Sequence, residues 1–241
     1  DVALLTNGTL IDKRRAELLA DAGPSTVQIS IDGMEEYHDS IRGMGAFGKL
    51  ECAVRNLDAV GMHPLMKMTI NKDNISNVMQ VIEYCSSSGV RVNFSLAQEL
   101  GNVKENSIMP SPKDYFEIFL EMHRKKKAEN LSITLPDFSI EEYIETGVPK
   151  SGCSAGLRMA AITKDDYFVP CVFMSGLGLR EVDGVNLYDN SLFHSTGALF
   201  DLIKASNSSE FGCPLRKWQY GTDPYSVYEF ARYFKNGTLH Q

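Results

Sequence analysis

Two sets of side chains in this sequence have chemistry to offer: its thiols and the polar residues that follow its apolar runs. There are five cysteines, Cys52, Cys85, Cys153, Cys171 and Cys213. Thiolate is a soft ligand suited to zinc or iron–sulfur clusters, whereas a thiol inside a helical pattern is more simply a packing group. Cys52 and Cys85 fall within helical patterns. Cys153 opens Cys-Ser-Ala-Gly, Cys171 follows Pro170, and Cys213 precedes Pro214. No Cys-x-x-Cys pair occurs, so spacing alone leaves metal binding and plain reduced thiols equally open. The odd count, with no signal segment in view, argues against a disulfide framework. The second set comprises Thr6-Asn7, Ser30 to Asp32, Asn71 and Gln98-Glu99. Each follows an apolar, strand-like run. Ligands of parallel sheets bind at the carboxyl ends of strands, but turn chemistry favours the same residue types there, and both readings stand.

The elements that must position these groups are legible from periodicity. Strands are expected over 2–6, 26–31, 64–71 and 90–97, and helices over 12–22, 47–60 and about 75–88. Phe47, Leu50, Val54 and Leu57 share one helical face, as do Ile75, Val78, Met79, Ile82 and Cys85. Strand and helix alternate with a period of about 30 residues, the βαβ unit of a parallel sheet. A loop over 98–110 precedes a helix opened by Ser111-Pro112-Lys113-Asp114 and running to about 129. Its Arg124-Lys125-Lys126-Lys127 run is read as cations favoured at a helix C-terminus rather than as a binding patch. The repeat is expected to stop near 130. Short strands and turns follow, with one helix near 198–205 and a hairpin whose arms, 158–163 and 167–172, are joined by Lys164-Asp165-Asp166. The division expected is 1–130 and 131–241.

Composition bounds the function. The 241 residues are 43% hydrophobic and 23% charged, as in a globular chain. A net charge of −7 disfavours a nucleic-acid binder that works by neutralising phosphates. No apolar run reaches membrane-spanning length, so no membrane partner is expected. The first residue is Asp1, and the chain is expected to be a fragment or processed product.

Several separate motifs then fall in one order. Leu4-Leu-Thr-Asn-Gly-Thr9 is followed by Val27-Gln-Ile-Ser-Ile-Asp-Gly33, His38-Asp39-Ser-Ile-Arg42-Gly43, Gly45-Ala-Phe47 and Asn56-Leu57. Leu100-Gly-Asn-Val-Lys-Glu-Asn106 and then Cys153-Ser-Ala-Gly156, Ile162 and Val169-Pro-Cys171 complete the series. Together they resemble a radical S-adenosylmethionine (SAM) enzyme with a SPASM or Twitch extension, over about 1–220.

The resemblance implies an α/β fold: a partial radical SAM (βα)6 TIM-like barrel, strands three to six present, followed by a small irregular cluster-binding domain. It implies SAM, a catalytic [4Fe-4S] cluster and an auxiliary [4Fe-4S] cluster as cofactors. The Cys-x-x-x-Cys-x-x-Cys ligands of the catalytic cluster are absent from this sequence. The chain alone is therefore expected to be inactive toward SAM. Ser30 and Asp32 would meet the ribose or the methionine end, with Asp32 equally able to shape the turn. Arg42 would offer a planar fork to the methionine carboxylate, or form a surface ion pair. Thr6, Asn7 and Asn71 would lie at the mouth beside the cofactor. His38 is read as a helix-start or core residue. Cys153, Cys171 and Cys213 would hold the auxiliary cluster, with a fourth ligand unassigned. Asp166 stands where the family places glycine. The implied activity is hydrogen abstraction from a peptide or protein side chain, with an external electron donor, in the cytoplasm. The alternatives are a non-catalytic iron–sulfur or electron-transfer module and a zinc-stabilised scaffold. Substrate identity, the acid or base and the oligomeric state are not legible.

Overall fold

A computed structural model describes residues 1–99, 108–148, 161–169, 171, 173, 185–186, 213, 215–216 and 221–235. They fall into two compact units. The first holds Asp1–Ala97 and Ile108–Pro136; the second holds Gln98, Glu99 and the described residues from Asp137 onward.

The first unit is a parallel sheet of five strands in sequential order: β1 (Ala3–Thr6), β2 (Thr26–Ser30), β3 (Leu65–Ile70), β4 (Arg91–Leu96) and β5 (Ile133–Thr134). Every neighbouring pair is parallel. The crossovers carry α1 (Lys13–Ala22), α2 (Glu35–Arg42), α3 (Ala46–Ala59), α4 (Val78–Ser87) and α5 (Pro112–Glu129). A 3-10 turn, Ile75–Asn77, leads into α4. The expected alternation of strands and helices is therefore the architecture found.

Local chemistry sets the helix ends. Asp12 caps α1 by accepting from the Arg15 N–H at 2.8 Å, and Gly23 closes it in the left-handed region at φ 66°. Ser111 caps α5 by accepting from the Asp114 N–H at 3.1 Å, with Pro112 in the first turn. Lys126 and Lys127 occupy its last turn, the favourable end of the helix dipole for a cation.

Strand alternation decides which side chains go where. Val27, Ile29, Met66, Met68, Ile70, Val92 and Phe94 are buried on one face of the sheet. A Cβ built on Gly8 would lie 3.1 Å from Ile29 and 3.2 Å from Ala53 of α3, so this is the helix-covered face. Gln28, Ser30, Lys67, Asn93 and Ser95 alternate onto the opposite face and are only partly buried.

Two differences from the sequence reading belong to this unit. The sheet does not end before residue 130, because Ile133 and Thr134 pair with Val92 and Asn93. Two strand residues after a helix are too few to show a period. Helix α2 also lies between the expected β2 and α3. Glu35 and Glu36 stabilise its first turn, and Gly43 ends it.

The second unit contains α6 (Phe138–Thr146), β6 (Ala161–Ile162), β7 (Tyr167–Val169), β8 (Val185–Asn186) and α7 (Val227–Lys235). The antiparallel pairing of β6 and β7 is the expected hairpin, and β8 adds to β7. Asp166 turns it with φ 65°, a conformation that glycine adopts without cost and Asp tolerates. Helix α6 adds to the expectation of short strands, turns and one helix near 198–205 after residue 130. Asp137 starts it by accepting from the Ser139 and Ile140 N–H groups, and Gly147 ends it at φ 71°. Its buried Tyr143 meets Phe230 of α7 edge-on, with centroids 6.0 Å apart. The expected helix near 198–205 lies outside the described residues. Among the described residues, no helix is long and apolar enough to cross a membrane.

Candidate functional site

The carboxyl ends of β1, β2 and β3 carry the polar groups singled out from sequence. At the end of β1, Asn7 Oδ1 accepts from the Thr9 N–H at 3.1 Å and its hydroxyl at 2.9 Å, a local turn that holds the side chain at the sheet end. Thr6 is placed differently from the expectation of a group at the mouth. The register pairs it with Ile29, on the helix-covered face, and its Oγ1 accepts from the Gly8 N–H at 3.1 Å. A one-residue change of parity decides this, because alternate strand residues face opposite ways.

Ser30 ends β2 on the open face. Two residues on, Asp32 and Arg42 form a forked pair, Nε to Oδ2 at 2.5 Å and Nη2 to Oδ1 at 3.1 Å. The fork expected to take the methionine carboxylate thus takes the carboxylate of Asp32. This bond and its charge raise the Arg42 pKa despite partial burial. The pair ties the β2–α2 connection to the last turn of α2.

His38 is buried in α2, edge-on to Phe47 at 5.9 Å. Its Nδ1 accepts from the Asp32 N–H at 3.2 Å, so the proton of the neutral ring sits on Nε2. Burial lowers its pKa, outweighing the nearby Asp32 charge. This agrees with its reading as a core residue. Next along, Asp39 accepts from the Gly45 and Phe47 N–H groups at 2.6 and 2.8 Å and so caps α3. Those bonds hold its carboxyl below the usual range.

Asn71 follows β3 and accepts from the Asp73 and Asn74 N–H groups at 2.8 and 2.9 Å. The fully buried Asn74 returns the bond, accepting from the Asn71 N–H at 2.8 Å. Its Nδ2 donates to the carbonyls of Asp32 at 3.1 Å and Thr69 at 2.9 Å. One amide therefore ties the end of β3 to the turn after β2. Asn77 adds a second tie, accepting from the Met34 N–H at 3.2 Å. Gly33 is required between them, since a Cβ there would lie 2.9 Å from Asn77 and from Tyr37. Ser30, Asp32, Arg42 and Asn71 are thus gathered on two adjacent strand ends, with Asn7 on the next strand. Sequence reasoning missed Asn74 and Asn77. Their available signal was Asn at the cap positions of a helix that follows a strand.

In the second unit, Cys171 is buried beyond the end of β7 and Cys213 is half-buried. Cys153 lies outside the described residues. The Cys213 N–H donates to Asp223 at 2.6 Å, and Asp223 is paired with the buried Arg216 at 2.6 and 3.0 Å. The Arg216 guanidinium also lies 5.6 Å over the Tyr225 ring. A buried pair of this kind fixes the backbone that carries Cys213. Cys52 is exposed, whereas burial pushes the Cys85 thiol up to about 12.

A parallel α/β sheet of this order has the fold of a partial TIM-like barrel, a class whose ligands bind at the carboxyl ends of the strands. Residues 1–98 match the model of the radical SAM superfamily. It is 30% identical over 176 residues to the sporulation killing factor maturation protein SkfB of Bacillus subtilis, covering 71% of this chain and 42% of that protein. It is 26% identical over 212 residues to the AdoMet-dependent heme synthase of Methanosarcina barkeri, covering 79% and 60%. The chain thus spans about half the length of these relatives. Two solved structures share the fold. They are anSMEcpe with bound AdoMet and Kp18Cys peptide (TM-score 0.60, 21% identity, 86% of this chain and 60% of that one) and Streptococcus suis SuiB bound to precursor peptide SuiA (0.61, 14%, 87% and 50%).

Proposed function

We propose that this chain is part of a radical SAM enzyme that abstracts hydrogen from a side chain of a peptide or protein. The observation that carries the reading is the rim itself: polar groups on adjacent carboxyl strand ends, within residues 1–98 that match the superfamily model. The maturation of a killing factor in the name of SkfB is compatible with a peptide or protein substrate, and the bound peptides of anSMEcpe and SuiB favour a peptide over a small molecule.

When bound, SAM and a reduced [4Fe-4S] cluster would supply a 5′-deoxyadenosyl radical. This chain's own residues hold the cofactor and keep it oriented. Ser30 donates a hydroxyl to the ribose or methionine end. Asn7 and Asn71 present amides from the flanking strands. Asp32 and Arg42, already joined, keep the turn after β2 in place, and the buried, neutral His38 anchors the backbone of Asp32. Thr6 shapes the β1 turn. For the auxiliary cluster, Cys153, Cys171 and Cys213 supply thiolates, chemically suited to iron. The Asp223–Arg216 pair orients the Cys213 backbone.

The test is SAM binding by equilibrium dialysis. The protein is expected to bind SAM, and Ser30→Ala to weaken binding by about tenfold, the loss of one buried hydrogen bond. Folded protein that does not bind SAM, or that binds equally in the variant, overturns the assignment. Because it contains no Cys-x-x-x-Cys-x-x-Cys, the chain by itself is expected to form no 5′-deoxyadenosine under reductant.

A further inference from the structure

Ser30, Lys67 and Asn93 stand abreast on three strands. The parallel register pairs Ser30 with Lys67 and Lys67 with Asn93, on the face away from the helices. Thr134 of β5 continues the row. Lys67 is half-buried, and among the described residues its ammonium makes no hydrogen bond or ion pair. Burial alone holds its pKa below the ordinary lysine range, with no carboxylate acting in the other direction. Arg42 is no comparable cation, because Asp32 already neutralises it. Beside Lys67, Asn93 Oδ1 is buried and accepts no hydrogen bond among the described residues.

Among the described residues, two unmet needs therefore lie side by side: a cation without an anion and an acceptor without a donor. A partly desolvated ammonium is costly to hold unpaired, and so is a buried amide oxygen. The chain has a net charge of −7, yet it places no carboxylate in this row. An anion supplied by a ligand answers both needs if it also carries an N–H group.

We infer that Lys67 and Asn93 form a subsite for an acidic residue of the peptide substrate, beside the cofactor-facing Ser30. Lys67 Nζ donates to the side-chain carboxylate, and Asn93 Oδ1 accepts from the backbone N–H of the same residue. The inference rests on the peptide-substrate reading above and adds which residue type is seated. Lys67 is here a specificity residue. It selects an acidic side chain and thereby fixes which neighbouring side chain faces the radical.

The experiment is NMR of the protein with 13C-methylated lysines, the Lys67 signal being assigned by its loss in Lys67→Met. The probes are N-acetylglutamate N-methylamide and its glutamine counterpart. The glutamate probe is expected to move the Lys67 signal and the glutamine probe to leave it in place. Asn93→Ala should weaken the glutamate effect by about threefold to tenfold, the range for one hydrogen bond. Saturating SAM should not abolish this discrimination. The subsite is overturned if Lys67 ignores the glutamate probe or both probes act alike. It is also overturned if SAM alone moves the signal and blocks the probe, which assigns the lysine to the cofactor's own carboxylate. SAM binding measured on the same samples separates the two readings. Bound SAM without a glutamate response removes only the subsite; no SAM binding removes the proposed function.

Discussion

His38 shows how a single residue at this rim acts through protonation. Its folded-state pKa lies below the ordinary value of 6.5, mainly because burial penalises the imidazolium. The folded state therefore binds fewer protons than the unfolded chain between those two values, and stability rises with pH across that window. Acidification from about pH 7.5 to 5.5 should lower the unfolding free energy, and the drop should be smaller in His38→Gln. Urea denaturation at the two pH values reads this. Equal slopes in both proteins would remove His38 as the titrating group. At the same scale, Arg42 and Asp32 show that a fork can be consumed within the protein. Sequence gave both members of that pair, but not that they meet.

At the scale of elements, the β2–α2 and β3–α4 connections form one unit held by Asn74 and Asn77. Asn74→Ala removes three hydrogen bonds from a fully buried side chain and strands two carbonyls and an N–H. A loss of about 3 kcal/mol is expected, at the upper end for a point change, because buried backbone groups are left unpaired. Chemical denaturation measures it, and a change below about 1 kcal/mol would show that solvent replaces the amide. The hairpin turn offers the opposite sign. Asp166 sits in the left-handed region, so Asp166→Gly should stabilise by up to about 1 kcal/mol, visible as a raised denaturation midpoint. The periodic elements were legible because apolar spacing and caps both announce them. Helix α6 and strand β5 were not. One is a short helix whose start is set by a single Asp137 cap, and the other is a pair of residues recognisable only by its partner strand.

For the molecule as a whole, the two units carry different chemistry: a polar rim on the first and the C-terminal thiols on the second. Anaerobic reconstitution is expected to load about one four-iron cluster per chain, and Cys171→Ala to lower the iron bound and the broad visible absorption. Zinc content in place of iron would favour the scaffold reading. The same loading in Cys171→Ala would remove that thiol from the ligand set. Cys85 should contribute nothing, since its buried thiol is held protonated.

The alternating periods by themselves determined the parallel α/β order of residues 1–97, because each apolar face must be buried against the next element. The motif order likewise pointed to the superfamily that residues 1–98 match. Only the tertiary structure decided that Thr6 faces the helices while Ser30 does not, since parity depends on register between strands. It alone joined Arg42 to Asp32 and set Asn74 across two turns, contacts between residues 10 and 42 positions apart. It also left Lys67 beside Asn93 without a counter-charge among the described residues, because a missing partner is a property of neighbours in space.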